Sequence, residues 1–260
     1  MKNCRTAPRF WLIVIVLVSS LSIIGCTTPP ADTTNTSSTG TSTGVSGTGS
    51  SSSTGNTSTA VSTTPGGESG LTGLDGEPVA VNAGEAQQQL QSSFGITAQN
   101  TAGETLDEFR IAAGNADSSI YAKLLQIIGT LPDAFRRCTG QLFLTSSITD
   151  DEGPCLGLYD PETSKLYLTT NDPDFAGTTV HEMTHAFQNK HPDIERRWGD
   201  QFWNGNSPKS SSISDYGNTN VAEDMAESVR EYWQRGAAMK SSHPDRYEFV
   251  KQFVMGGKEY

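Results

Sequence analysis

Residues 181–185 read His181-Glu182-Met183-Thr184-His185 and are the most informative stretch of the chain. The Asp172-Pro173 pair upstream has the chemistry of a helix cap followed by a first-turn proline, and it predicts a helix that runs to about residue 190. Residues four apart on a helix differ by about 40° around its axis, so both imidazoles project from one face. The pattern predicts that His181 and His185 bind one zinc ion; the other interpretation is a pair of solvated surface histidines.

Glu182 is rotated by about 100° from His181, so it can reach a water molecule on the metal without binding the metal. A catalytic zinc uses three protein ligands and one open position, so a third ligand must come from farther along the chain. His191 has the spacing of the third ligand in metzincins. Those proteins have glycine three residues after the second histidine, where this chain has Gln188, and Pro192 more simply marks the end of the helix.

Glu223 is the better candidate, on a helix predicted over residues 219–236. The apolar residues of that helix share one face, and Glu223, Glu227 and Arg230 lie on its shoulder. Asp224 is predicted to point to solvent. A half-buried carboxylate needs a cation nearby, and Glu227, one turn later, can accept the free ring N–H of a ligand histidine. The alternative is an ordinary polar helix edge with a Glu227–Arg230 pair.

The block Tyr216-Gly217-Asn218-Thr219-Asn220-Val221-Ala222-Glu223-Asp224-Met225-Ala226-Glu227, taken with the upstream histidines, resembles a known family. It is similar to the gluzincin metallopeptidases typified by the catalytic domain of anthrax toxin lethal factor. The resemblance covers about 60 residues, over 178–233, and the toxin's receptor-binding and substrate-docking regions have no counterpart in this chain. The toxin's substrate therefore does not transfer.

The resemblance implies one zinc per chain, with His181, His185 and Glu223 as its ligands. Glu182 then resembles the general base that activates a zinc-bound water, and Glu227 the carboxylate behind a ligand histidine. Tyr216 resembles the tyrosine that hydrogen-bonds the developing oxyanion or protonates the leaving amine. The implied activity is that of a zinc endopeptidase, acting on a peptide or protein substrate.

The predicted fold class is α+β, with a zincin-like domain in which a small antiparallel sheet packs on the active-site helix and the C-terminal part is mainly helical. Apolar periodicity predicts strands over 141–147, 155–159 and 165–170, and helices over 118–129 and 244–255. Turn residues over 160–164 predict that the last two strands form a hairpin, which is the expected docking edge for an extended substrate. Residues 205–214, rich in Ser, Asn and Gly, predict a mobile loop that flanks the cleft.

The N-terminus predicts export and a lipid anchor. Three basic residues and then an apolar run too short for a comfortable membrane span lead to Ile23-Ile24-Gly25-Cys26, which resembles a bacterial lipobox. Residues 1–25 are therefore a predicted signal peptide, and Cys26 the lipidated residue; the alternative is an uncleaved membrane anchor. Cys4 leaves with the signal, so Cys138 and Cys155 remain and are predicted to form a disulfide.

Composition divides the remaining chain. Thr, Ser and Gly fill 33 of the 44 positions over 27–70, so residues 26–70 are predicted to be the lipidated cysteine and a disordered linker. Residues 71–260 form the predicted peptidase domain, and the polar composition of 71–103 leaves partial disorder open there. The net charge of -11 disfavours nucleic acid as a partner.

We therefore expect a monomer that contacts the membrane only through its lipid and faces outward from the bacterial cell envelope. Two other functions stay open: a surface binding lipoprotein whose zinc is structural, and a zinc amide hydrolase that acts on cell wall.

Overall fold

The helix that carries both histidines of the 181–185 motif runs through the interior of the folded domain. The computed structural model describes residues 82–260. The predicted signal peptide, Cys26, the linker and residues 71–81 lie outside the described residues. Within the described part, no helix combines the length and the apolar character that crossing a membrane requires.

The described residues form a mixed α+β domain. Its helices are α1 (Ala83–Gln89), α2 (Ser118–Thr130), α3 (Asp133–Arg136), α4 (Phe175–Lys190), α5 (Pro192–Phe202), α6 (Val221–Ser242) and α7 (Pro244–Phe249). Two π-helical turns, Leu90–Phe94 and Val250–Val254, extend α1 and α7, and Tyr216–Asn218 is a 3-10 turn. Its strands are β1 (Thr97–Asn100), β2 (Glu104–Leu106), β3 (Phe109–Ile111), β4 (Gln141–Thr145), β5 (Ile148–Asp150), β6 (Gly153–Cys155), β7 (Gly157–Asp160), β8 (Lys165–Thr169), β9 (Trp203–Asn204) and β10 (Ser207–Pro208).

The larger sheet has the strand order β1-β4-β8-β7, with β7 at one edge. The predicted hairpin is confirmed, because β7 and β8 pair antiparallel. The prediction of an antiparallel sheet is wrong, since β1 pairs parallel with β4 and β4 pairs parallel with β8. After β4 the chain passes through β5, β6 and β7 before β8 returns beside β4 in the same direction. This long-range return has no signature in local turn residues.

The smaller sheet, β2-β3-β5-β6, is antiparallel throughout. The single strand predicted over 155–159 is in fact two strands that belong to different sheets. Cys155 ends β6 in this sheet, and Gly157 begins β7 in the larger one. Cys155 lies in a hydrophobic cluster that strands of both sheets share, whereas Cys138 lies in the main core.

The predicted disulfide between Cys138 and Cys155 is not formed, because Cys138 is a free, buried thiol. Its Sγ lies 3.4 Å from the carbonyl oxygen of Ala134, at the end of α3. The prediction paired these residues by elimination, whereas the fold places them in different clusters.

Every residue of α4 from Gly177 to Gln188 is buried. The helix packs against β7 and β8 of the larger sheet and against α2, α3 and α6. Its predicted position is confirmed, although Asp174 rather than Asp172 is the cap and accepts a hydrogen bond from the Gly177 N–H at 3.2 Å. Because all faces of α4 are covered, the 181–185 motif is held on a rigid element rather than exposed on a surface helix.

The helix after residue 219 is also confirmed, with Asn220 as the cap that accepts from the Glu223 N–H at 2.9 Å. It runs to Ser242, past the predicted end, with non-helical backbone at Arg235. Helix α5 was not predicted. Pro192 stands at the first turn of α5, so it begins a new helix as well as ending α4.

Candidate metal centre

Helices α4 and α6 bring together His181, His185 and Glu223, whose ligand atoms all lie within 4.8 Å of one another. The two Nε2 atoms of the histidines are 3.1 Å apart. Oε2 of Glu223 lies 3.0 Å from Nε2 of His181 and 3.4 Å from Nε2 of His185. The three side chains that the sequence predicts as ligands therefore converge on one point.

The other nitrogen of each ring is already occupied. Nδ1 of His181 is 2.9 Å from Oε1 of Glu227, and Nδ1 of His185 is 2.7 Å from Oε1 of Gln188. Both partners are acceptors, so in neutral imidazoles each Nδ1 carries the proton and each Nε2 presents a lone pair. In that neutral form two lone pairs and a carboxylate oxygen face one another, an arrangement that a cation stabilises, whether a metal ion or a proton.

Oε2 of Glu223 supports the same conclusion. It is buried, and within residues 82–260 no group other than the two imidazole Nε2 atoms is positioned to bond it. A buried carboxylate oxygen without a partner is costly unless it binds a ligand or an ion. The residues present therefore fit a bound metal ion.

The spacing suits zinc. Tetrahedral ligands at about 2.05 Å from zinc lie about 3.3 Å from one another. The three distances between ligand atoms here are 3.0, 3.1 and 3.4 Å. Two imidazoles and one carboxylate are a donor set typical of zinc, whereas calcium and magnesium favour all-oxygen sites.

Negative charge dominates the electrostatics of the cluster. Burial lowers the pKa of His181 and of His185, but the carboxylate of Glu223 outweighs this effect and raises both pKa values above the ordinary value. At His181 the carboxylate of Glu227 acts in the same direction. Burial also acts against ionisation of Glu223, yet the neighbouring imidazoles hold its pKa far below the usual range. The centre therefore has a potential that attracts positive charge.

Glu182 lies on α4 against the edge strand β7. A Cβ added at Gly157 would lie 2.5 Å from Cγ of Glu182, so the strand approaches the acid as closely as a residue without a side chain allows. Burial raises the pKa of Glu182 to about 7, against the opposing effects of His181 and His185. A backbone hydrogen bond from Tyr159 of β7 acts in the lowering direction. The predicted general base thus lies at the sheet edge predicted to receive a substrate.

Tyr216 begins the 3-10 turn before α6 and is half-buried. Its ring centroid is 6.0 Å from that of His181. Burial raises the pKa of the Tyr216 phenol, and the charges of Glu223 and Glu182 raise it further, so the phenol is a hydrogen-bond donor at neutral pH. The predicted oxyanion donor therefore stands beside the same cluster as the predicted ligands and base.

Glu227 contacts His181 and also forms an ion pair of 3.1 Å with Arg230. The two interpretations of Glu227 from the sequence therefore hold together. Burial raises its pKa, but the bond with His181 outweighs this and holds the pKa at about 2. Arg230 in turn pairs with Asp174, the cap of α4. This chain of charges ties the start of α4 to α6 and keeps Glu227 ionised.

The alternative third ligand, His191, lies outside the cluster. It caps the C-terminal end of α4, and its ring centroid is 4.5 Å from that of Phe187. Gln188, which was not predicted as a site residue, has a role at the centre: its Nε2 donates to the Ala222 carbonyl at 2.8 Å, which leaves Oε1 facing His185. The available signal was the spacing of three residues, which places Gln188 and His185 side by side on α4.

Asp224 corrects a second prediction, because it is completely buried and does not point to solvent. Oδ2 of Asp224 accepts from the indole N–H groups of Trp198 and Trp203, at 3.0 and 2.8 Å, and from Arg246 at 3.0 Å. Oδ1 accepts from the hydroxyl of Ser212. Helix α6 therefore buries residues on two faces, one toward α4 and one toward α5 and α7.

In comparisons with protein-family models and with curated proteins, nothing matches this chain. Its candidate function is therefore argued from the geometry and chemistry of the centre.

Proposed function

We propose that this protein is a zinc-dependent endopeptidase of the gluzincin type. The observation that carries the proposal is the convergence of His181, His185 and Oε2 of Glu223 on one point, with no hydrogen bond to that oxygen within residues 82–260. Glu182 and Tyr216 interact electrostatically with that cluster, and they are the residues proposed here as general base and oxyanion donor. The mixed α+β domain, with its edge strand against α4, is compatible with a zincin-like fold.

In this proposal His181, His185 and Glu223 hold the ion. When bound, zinc would polarise the substrate carbonyl and lower the pKa of a coordinated water molecule toward about 7. Glu182 takes the proton of the attacking water and passes it to the nitrogen of the leaving amine. The phenol of Tyr216 donates a hydrogen bond to the carbonyl oxygen as that oxygen gains charge.

The edge strand β7 is the proposed docking site for the substrate. An extended peptide would add antiparallel to it through main-chain hydrogen bonds, which places a peptide bond beside Glu182. Such binding selects for extended protein or peptide substrates rather than for a compact small molecule.

The number of ligands favours a catalytic over a structural ion. In the part of the chain that the structure describes, the cluster holds three metal-binding side chains, the number a catalytic zinc uses, whereas structural sites close with four. The proposed cellular setting, lipid attachment at Cys26 on the outward side of the envelope, depends on the N-terminal sequence alone.

The proposal is tested with Glu182→Gln, which keeps the shape of the side chain and removes its ability to take a proton. We expect the variant to bind one zinc per chain as the wild type does, and to lose at least about a hundredfold in kcat for peptide cleavage. Glu248→Gln, at an exposed position on α7, is the matched control and should retain full activity. Peptide cleavage at the wild-type rate by Glu182→Gln would refute the assigned mechanism.

A further inference from the structure

The carboxylate of Glu227 has partners on three separate segments. Oε1 contacts Nδ1 of His181 on α4 and accepts from Nη1 of Arg230 on α6. Oε2 accepts a hydrogen bond of 2.7 Å from the hydroxyl of Ser214, which precedes the 3-10 turn. Glu227 therefore joins a ligand histidine to the segment that leads into Tyr216.

The hydroxyl of Ser214 makes a second bond on its other side. It accepts from the backbone N–H of Gly217 at 3.0 Å. A carboxylate can only accept, so the single hydroxyl proton points to Glu227, and a lone pair is left for the Gly217 N–H. The direction of both bonds is thereby fixed by the charge on Glu227.

Asn218 closes the segment around Ser214. Its Nδ2 donates to the Ser214 carbonyl at 3.0 Å, and its Oδ1 accepts from the Ser212 N–H at 2.9 Å. These bonds shape the segment internally. Two serine hydroxyls of this segment bond carboxylates of α6, Ser212 that of Asp224 and Ser214 that of Glu227, and of these two bonds the second leads to the metal-binding cluster.

We propose that Ser214 is a positioning residue that couples the orientation of His181, through Glu227, to the position of Tyr216. The inference depends on the proposed function, because the role of Tyr216 is assigned there. Loss of the hydroxyl removes a donor from Oε2 of Glu227 and the acceptor of the Gly217 N–H at the same time. The turn that carries the phenol then loses one of its anchors, although the phenol keeps its hydrogen bond with Glu223, while the edge strand that binds the peptide is untouched.

The consequence is a specific kinetic signature. We expect Ser214→Ala to lower kcat about tenfold, within the range found for residues behind metal ligands, and to change KM less than twofold. Ser214→Thr keeps a hydroxyl at the same carbon and should recover most of the lost rate. Ser211→Ala, an exposed serine in the same segment, is the matched control and should behave as the wild type.

A second readout does not require activity. Amide hydrogen exchange at Gly217, measured by NMR on metal-free protein, should be about tenfold faster in Ser214→Ala than in Ser211→Ala, because the amide has lost its acceptor. Glu227→Gln should speed the same amide while Ser214 is intact, so the coupling can be tested even if Ser214→Ala folds poorly.

The outcomes separate this inference from the proposed function. Exchange at Gly217 within twofold of the control in both Ser214→Ala and Glu227→Gln would overturn the coupling. A wild-type protein that cleaves no peptide would overturn the proposed function, and the exchange comparison would still decide the role of Ser214. The coupling would be supported if Ser214→Ala lowered kcat tenfold with unchanged KM and exchanged the Gly217 amide faster, and if Ser214→Thr restored the rate.

Discussion

Glu223 and Asp224 are neighbours on α6, are almost equally buried, with 1% and 0% of their surfaces exposed, and differ completely in their surroundings. Both oxygens of Asp224 are satisfied by protein donors, among them the guanidinium of Arg246. Oε2 of Glu223 faces two imidazole nitrogens and, within the described residues, accepts no hydrogen bond. Burial alone does not distinguish a structural carboxylate from a ligand-binding one. The distinguishing feature is whether the protein itself supplies the donors.

Asp224 should therefore carry the larger share of stability in the metal-free protein. Asp224→Asn leaves Arg246 buried without its counter-ion, and we expect the free energy of unfolding to fall by about 3–5 kcal/mol. Denaturant unfolding of metal-free protein measures this. Glu231→Gln, which removes the partner of the exposed Arg235 on the same helix, should change it by less than about 1 kcal/mol. A loss of similar size in both variants would remove the distinction between the two carboxylates.

Glu223 should contribute through the ion instead. Zinc at a hundredfold excess over its dissociation constant should raise the wild-type free energy of unfolding by about 2.7 kcal/mol. In Glu223→Gln the metal-free stability should fall by less than in Asp224→Asn, because no buried guanidinium loses its counter-ion, and the same zinc concentration should add little. Thermal or denaturant unfolding with and without zinc measures both values. An equal gain on zinc addition in both proteins would show that Glu223 does not bind the ion.

The smallest expected effect concerns Gln188, whose Oε1 accepts a hydrogen bond from Nδ1 of His185 and so orients that ring. Gln188→Met is similar in size and removes the acceptor, so zinc affinity should fall about tenfold, equivalent to about 1.4 kcal/mol. Competition with a chelator measures the affinity. Asn189→Ala is the control on the next residue, because Asn189 faces away from the centre and donates to the hydroxyl of Tyr159. Equal affinities in the two variants would mean that Gln188 does not orient the ligand.

The part of this centre that the sequence predicts is the part encoded by short spacings. His181 and His185 share a helix face, and the polar shoulder of α6 holds both Glu223 and Glu227. The second buried face of α6 could not be predicted, because Asp224 is covered by α5 and α7, and α5 had been missed altogether. A helical wheel describes one helix, whereas burial depends on every element that packs against it.

The sheet shows the same limit. The β7–β8 hairpin follows from five turn residues, but the parallel pairing of β4 with β8 joins strands that are separated along the chain by three others, β5, β6 and β7. The Cys138–Cys155 prediction failed for a related reason, since counting the remaining cysteines contains no information about distance. Pairings of this kind are determined by tertiary packing and not by local sequence.

The most direct test of the central claim is zinc-edge X-ray absorption of the loaded wild-type protein. We expect about one zinc per chain with nitrogen and oxygen neighbours at about 2.0–2.2 Å, two of them imidazole nitrogens, and an altered spectrum or no retained zinc in Glu223→Gln. An identical spectrum and zinc content in wild type and Glu223→Gln would contradict the claim that His181, His185 and Glu223 form the metal site.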